Sequence, residues 1–332
     1  MVTMEEVAKA AGVSRATVSR VLSNHPSIKP ETRGNVMYWV RKLGYEPNQV
    51  AQSLAGNRAS LIGVLFSDLS NPLYAALMTA IVREAEKEGY SVIVGDAQRE
   101  KAREVNIIKN FKGRKVDGII VRPIGQPNPK FYSGLNIPMV SLYKKTDRRN
   151  IIISSEEGAS QVARHFAGQG HKKIGYLGPA SAQSGNDKFA GFKSGLEEYG
   201  LEPAAVLECD QRETAENQKA YELIQSYFQS HDPHEITAWF AHSDIAASDV
   251  IRALDTCGIR VPDEVAVCGY NDTLLARKMI PTLSSVASPI DEIAHSAVEL
   301  LIRDMEDQNG EETVYLSPRL IVRESSSVKM NK

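Results

Sequence analysis

Two sets of polar residues in this 332-residue chain stand at spacings that could bind a ligand. Near the start, Ser14, Arg15, Ala16, Thr17, Ser19 and Arg20 lie in the string SRATVSRVL. On a helix, Val18, Val21 and Leu22 of that string share an inward face and leave Arg15, Ala16, Ser19 and Arg20 outward. An arginine at the N-terminal end of such a helix can reach guanine O6 and N7 in bidentate fashion, whereas Ala16 can offer only its methyl to a thymine. Arg15 is therefore the expected base reader, and a double-stranded nucleic acid the expected partner. The second set is spread over the rest of the chain, at or soon after apolar runs that read as strands: Ser67 and Asp68 with Leu73 and Tyr74, then Asp96, Arg122, Tyr143, Lys188, Asp210, Ser243 and Asp244, Asn271 and Asp272, and Ser288.

Catalytic chemistry is not indicated. There is no Gly-rich phosphate loop, no HExxH helix and no nucleophile elbow, and His242-Ser243-Asp244 is a contiguous string, which does not by itself make a triad. The three cysteines, Cys209, Cys257 and Cys268, are widely spaced and odd in number, against a disulfide framework or a paired-cysteine zinc site. Neither an enzyme nor a cofactor or metal site is expected.

The first set needs a small helical scaffold. Thr3 followed by Glu6 is a capping-box start, Val7, Ala8 and Ala11 fall on one face, Gly12 stops that helix, and Ser14 can cap the next. Two short helices joined by a tight turn form a helix-turn-helix, which sets its second helix for the major groove. Pro30 through Leu43 supplies a third helix with Val36, Val40 and Leu43 inward, and Gly34 inside it costs about 0.5–1 kcal/mol relative to Ala. Residues 47–60 contain a helical stretch of about eight residues, too short to stand alone in water and so a candidate hinge.

The second set needs strands. From Leu61 the chain alternates LIGVLF, SVIVGD, VDGIIV and IPMVSLY with helical stretches, and then repeats the grammar with KIGYLG, AVLEC, TAWF and EVAVCGY. Two alternating series predict two parallel-sheet α/β lobes, with ligands binding beyond the carboxyl ends of the strands, in a cleft between the lobes.

Composition agrees: 42% hydrophobic and 24% charged residues fit a globular chain, and the length implies two domains or more. No membrane span or signal peptide is legible, so a cytoplasmic location is expected. The net charge of -2 conceals an asymmetry. Residues 1–60 carry eight Lys and Arg against four acids, and the remainder 31 against 37. A basic head on an acidic body points to a polyanion partner for the head.

The ordered series EEVAKAAGVSRATVSRVL, PETR, LGYEPNQVAQSLA, IGVLFSDLSNPLYA, VDGIIV, HKKIGYLG, DKFAGF, RVPDEVAVCGYND and LIVRES resembles the LacI/GalR family of bacterial transcription regulators over essentially the whole chain. The resemblance implies a repressor of a carbohydrate-utilisation operon, a homodimer on near-palindromic operator DNA, and a two-lobed core like a periplasmic binding protein. It implies a helix-turn-helix domain over 1–46, a hinge helix and linker over 47–60, and an effector-binding and dimerisation core over 61–332. Lobe one would span about 61–158 and 290–318, and lobe two about 159–289 and 319–328. DNA contacts are implied at Thr3, Ser14, Arg15, Ala16, Thr17, Ser19, Arg20, Asn48, Gln49, Ala51 and Leu54, with Leu54 wedged into a central base step. Effector contacts are implied at Leu73, Tyr74, Tyr143, Lys188, Gln211, Ser243, Asn271 and Ser288, to which the strand-end position adds Arg122.

Several cleft positions depart from the family's usual residues. Tyr143 and Asn271 stand where Asp is common, Lys188 where Arg is, Ser154-Ser155 where an Asp-Asn pair is, Ser243 where Asn is, and Ser288 where Gln is. Carboxylates accept hydrogen bonds from sugar hydroxyls and repel anions, so losing them while keeping Lys188 and Arg122 moves the expected effector toward a sugar acid or sugar phosphate. The alternatives are a carbon-catabolite regulator answering to a phosphorylated protein corepressor, and a neutral-sugar sensor. SSVKMNK after LIVRES has no heptads, which favours a dimer over a tetramer.

Overall fold

The computed structural model describes residues 2–23, 25–45, 59–180, 187–209, 219–306 and 311–327. The chain divides into two compact units, Met1–Ser60 and Leu61–Lys332. In the first, α1 (Met4–Ala11), α2 (Arg15–Leu22) and α3 (Pro30–Leu43) enclose a small core in which Val7, Val18 and Val36 are wholly buried. The capping box forms: Thr3 N donates to Glu6 Oε2 at 2.8 Å, and Glu6 N donates to Thr3 Oγ1 at 3.3 Å. Gly12 takes a left-handed φ of +67°, which lets Val13 N return to the Ala8 carbonyl and close α1. Ser14 Oγ then accepts from Thr17 N at 3.1 Å and starts α2. The loop before α3 is held by Arg33, whose guanidinium donates to the carbonyls of Val21 and His25. Of the hinge helix and linker expected over 47–60, residues 47–58 lie outside the described residues.

The second unit holds two six-stranded sheets. In chain order its first sheet takes β1 (Leu61–Phe66), β2 (Ser91–Asp96), β3 (Gly118–Val121), β4 (Met139–Leu142) and β5 (Arg149–Ile153), and the late strand β11 (Thr313–Leu316) adds at one edge. Its helices are α4 (Pro72–Lys87), α5 (Lys101–Gly113) and the short α6 (Pro129–Ser133). The second sheet takes β6 (Ile174–Leu177), β7 (Ala205–Leu207), β8 (Ala238–Ala241), β9 (Ala266–Asn271), β10 (Ser284–Ala287) and β12 (Arg319–Ile321). With it go α7 (Ser155–Gly168), α8 (Asp187–Glu197), α9 (Lys219–Ser230), α10 (Asp244–Thr256) and α11 (Leu274–Lys278). Every strand pair is parallel except β10 with β12. Central strands such as β3, β8 and β9 are buried throughout, as a parallel sheet covered on both faces requires.

The chain passes from the first sheet to the second after β5, returns through α12 (Ile290–Glu306) after β10, and passes over again between β11 and β12. The first passage comes earlier than the sequence division at residue 158. α7 starts at Ser155, and its Ala159, Val162, Ala163 and Phe166 belong to the core of the second sheet. One rigid helix cannot be shared between two cores, so the passage is at Ser154. At Gly191, α8 meets α7 so closely that a Cβ would lie 2.0 Å from the Glu156 carbonyl oxygen. Among the described residues no helix is long and apolar enough to cross a membrane.

Candidate nucleic-acid interface and ligand cleft

In the first unit the outward face of α2 carries Arg15, Ala16, Ser19 and Arg20, all exposed, on a helix anchored beneath by buried Val18 and Val21. Thr17 is half-buried, and its hydroxyl lies 2.9 Å from that of Ser14. The Ser14 and Thr3 side chains are both engaged as helix caps, so each serves first to fix the start of its helix. At α2 the first backbone N–H groups and the positive dipole end lie beside Arg15, an arrangement that favours a phosphate. Lys9, Lys29, Arg41 and Lys42 add exposed cations, whereas Arg33 is committed to the two carbonyls already named. Asn48, Gln49, Ala51 and Leu54 lie outside the described residues.

In the second unit the strand ends of the first sheet present an aromatic and cationic wall. Tyr74, near the start of α4, stacks on Phe66 at 5.1 Å between centroids, and Tyr143 meets it edge-on at 6.4 Å. The Arg122 guanidinium lies 5.7 Å from the Tyr74 ring centre. Its Nη1 donates to the Pro123 carbonyl at 2.9 Å, and its Nε is buried with no hydrogen-bond partner among the described residues. The Tyr143 hydroxyl is likewise buried and unpartnered. Tyr143 has a φ of +64°, costly for a bulky residue, and Asn271 and Asp272 at the end of β9 have +104° and +50°. Leu73 is 5% exposed and belongs to the core under α4, so it offers the cleft little surface.

The second sheet contributes Lys188, in the first turn of α8. Its Nζ donates to the His242 carbonyl at 2.9 Å and sits 3.8 Å from the centre of the Tyr270 ring. Burial lowers this ammonium to a pKa of about 7, against the pull of Asp244 and with the push of Arg122. Burial also raises Tyr143, with Tyr74 and Tyr270 pushing further and Arg122 opposing, and lowers Lys144, again with Arg122 adding to the effect. Arg122 of the first sheet therefore acts on Lys144 beside it and on Lys188 of the second sheet.

One nearby carboxylate, Asp187, acts on Lys144 and favours its charged form; the others are occupied. Asp244 is almost fully buried: it accepts from Thr273 N at 2.7 Å, Thr273 Oγ1 at 2.8 Å and Ser285 Oγ at 2.5 Å, and burial raises it to about 6. Asp272 pairs with Arg323 at 2.6 Å and Arg277 at 3.1 Å. Asp68 pairs with Arg99 at 2.7 Å, and Asp96 accepts from Leu69 N and Gln98 N. Ser243 is the N-cap of α10, its Oγ accepting from Ala246 N at 3.1 Å. Asn271 and Ser288 are buried where β9 and β10 end, and Gln211 and Asp210 lie outside the described residues.

Sequence reasoning missed Tyr270, Lys144 and the His242 carbonyl as parts of this cleft. Tyr270 is an interior residue of β9 whose ring supports Lys188, and strand alternation alone does not say which face will meet a helix from elsewhere. Lys144 directly follows Tyr143, which was a signal that it stood at the same strand end. Among the described residues no group of His, Cys, Asp or Glu is placed to hold a metal ion.

Comparison with known proteins matches these two units separately. Residues 3–48 match the model of bacterial regulatory proteins of the lacI family, and residues 163–326 match a periplasmic binding protein-like domain. The chain is 31% identical to the ribose operon repressor of Halalkalibacterium halodurans, with 98% of this chain and 97% of that protein covered. It is 30% identical to the HTH-type transcriptional repressor PurR of Escherichia coli, with 98% and 97% covered. A crystal structure of the lac repressor dimer bound to operator and the anti-inducer ONPF superposes with a TM-score of 0.84 at 27% identity, over 98% of this chain and 99% of that one. These relatives control transcription and are not enzymes. A helix-turn-helix head with an exposed basic face, a two-sheet core with a cleft, and full-length relatives that are repressors agree: the chain belongs to the lacI family of bacterial regulatory proteins and is a DNA-binding transcriptional repressor.

Proposed function

We propose that this repressor controls a carbohydrate-utilisation operon and is governed by an anionic sugar derivative, a sugar acid or sugar phosphate, bound between its two sheets. The observation that carries the reading is the gathering of Arg122, Lys144 and Lys188 around one cleft while Asp68, Asp244 and Asp272 are turned into internal bonds. The buried Arg122 Nε and Tyr143 Oη are two donors with no acceptor among the described residues, and an anion's oxygens would satisfy them. On DNA the chain acts as a homodimer on a near-palindromic operator, Arg15 reading a guanine in each half-site and Leu54 entering a central base step. That a relative's crystal structure is a dimer on operator supports this assembly.

The ligand acts on DNA binding only through its different affinity for the open and closed arrangements of the two sheets, so ligand and operator must change each other's affinity equally. A thermal-shift screen of sugar acids, sugar phosphates and neutral hexoses tests the effector class, since a ligand of the folded state raises apparent stability. Operator binding followed by fluorescence anisotropy across a salt series, with and without each hit, tests the coupling. Stabilisation by neutral hexoses alone would overturn the anionic class. A response to a phosphorylated protein and to no small molecule would move control to a corepressor.

A further inference from the structure

Behind Arg122, in the first turns of α5, lies a carboxylate that does not reach the cleft. Glu104 is completely buried. Its Oε1 accepts from the Tyr132 hydroxyl at 2.5 Å and from Lys101 Nζ at 2.6 Å, and its Oε2 accepts from the backbone N of Ile124 at 2.7 Å. Lys101 Nζ also donates to the Ile124 carbonyl at 3.3 Å and lies 5.4 Å from the centre of the Tyr132 ring. Both backbone groups of Ile124 are thus held by the beginning of α5. Burial, then the bond to Glu104, raises the Tyr132 hydroxyl far above its ordinary range, so it remains a donor.

Taking a carboxylate out of water is costly, and an apolar side chain of similar volume would fill the same space without that cost. What an apolar side chain could not do is fix the backbone of the irregular stretch that follows β3. Ile124 is two residues beyond Arg122, whose own backbone N is held by the Leu65 carbonyl at 2.9 Å. Arg122 is therefore clamped on one side by β1 and on the other by the α5 cluster. Its side chain turns back over Pro123 O and Tyr74 with its Nε unpartnered.

We propose that Lys101, Glu104 and Tyr132 form a positioning cluster for effector recognition, holding the exit of β3 so that the Arg122 guanidinium stays aimed across Tyr74 at the ligand's anionic group. This rests on the reading of Arg122 as an anion contact, and the test separates the two. In nitrogen-15 spectra of the full chain, the Arg122 Nε–H resonance is assigned by its loss in Arg122→Met, and the Arg149 Nε–H, bonded to Asp304 at 3.1 Å, serves as an internal control. Glu104→Gln is expected to move the Arg122 resonance and speed its exchange with solvent while leaving that of Arg149 in place.

With inorganic phosphate as the probe, Glu104→Gln is expected to weaken binding about fivefold, the equivalent of one net hydrogen bond, and to have no further effect once Arg122 is Met. Tyr132→Phe, which removes a single bond from the cluster, is expected to shift the same resonance in the same direction and serves if the Gln variant does not fold. An Arg122 resonance unmoved in both variants, with only the melting temperature lowered, would reduce the cluster to a packing role and overturn the proposal. If phosphate fails to perturb the Arg122 resonance in the unmodified chain, the anion reading fails, and the positioning role is judged on the variant spectra alone.

Discussion

Replacing Lys188 with Met should remove both the strength and the pH dependence of sugar-acid binding. The free ammonium, lowered to a pKa of about 7, is close to half charged at neutral pH. A bound carboxylate stabilises the charged form, so binding takes up a proton wherever the free protein has lost it, and affinity falls as pH rises through about 7. With the bound-state pKa above the range studied, the charged fraction of the free protein makes binding about tenfold weaker at about pH 8 than at about pH 6. Lys144 acts in the same direction and His242 not at all, whereas Asp244 acts both ways, repelling the ligand's charge as it ionises while helping Lys188 to keep its proton. Asp244, at about 6, gains charge as pH rises, Lys144 is also lowered, and His242, at about 3, stays neutral across this window. Gluconate is the suitable probe because its carboxylate stays ionised throughout, whereas a phosphate monoester titrates near pH 6. Loss of one charge-assisted hydrogen bond of about 1.5–3 kcal/mol should weaken binding roughly 10- to 150-fold at the lower pH, and most of the slope should go with it. Isothermal titration at both pH values, on the parent chain and Lys188→Met, reads both quantities. Gluconate affinity equal at the two pH values and unchanged in the variant would refute the reasoning, as would tight binding of a neutral hexose indifferent to the substitution.

Arg15→Ala should cost about 1–3 kcal/mol of operator affinity and relax preference at one base pair in each half-site; anisotropy on single-base operator variants checks this, and equal loss on every sequence would make Arg15 a phosphate contact. Leu54→Ala should keep the dimer and ligand binding yet remove most of the preference for operator over random DNA, because hinge order and DNA bending fail together. The same competition assay would show an unchanged preference if Leu54 is only a packing residue. Two glycines should respond in opposite ways to alanine, as urea midpoints would reveal. At exposed Gly34 in α3 a Cβ meets nothing within 4 Å, and removing backbone entropy should stabilise the head by about 0.5–1 kcal/mol. At Gly191 the Cβ meets the Glu156 carbonyl, and α7 and α8 must part at a cost of about 1–3 kcal/mol. An unshifted midpoint at Gly191 would mean that the two helices separate freely.

Much of the fold was legible because it is written in short-range patterns. The capping box of Thr3 and Glu6, the stop at Gly12 and the cap at Ser14 each depend on residues no more than four or five apart, and the structure forms all three. The inward valines of α2 and α3 follow from helical period alone, and the two series of apolar runs follow from strand length and composition. The lobe boundary was not legible at the same precision. Nothing local marks Ser154 as the passage between sheets; it is set by which core the far end of α7 joins.

For the cleft, the polar residues directly after apolar runs were legible as strand-end groups, and so was the basic head; Lys188 was not, because it stands in the first turn of α8, with ten residues between it and the end of β6. What those groups do depends on partners that folding brings to them. Asp68, Asp96, Asp244 and Asp272 look alike in sequence, yet each is consumed by a bond to a partner up to 51 positions away, as in the pair of Asp272 with Arg323. Lys188 and Tyr270, 82 positions apart, come together because α8 packs on the sheet that contains β9. Arg122 and Lys188 sense each other only because two sheets, each stable through its own core, present their carboxyl ends to one cleft. Capping and periodicity are short-range and survive in a single string of residues. The charge at a site is a sum over neighbours brought in by folding, and it depends on distances that the string does not contain.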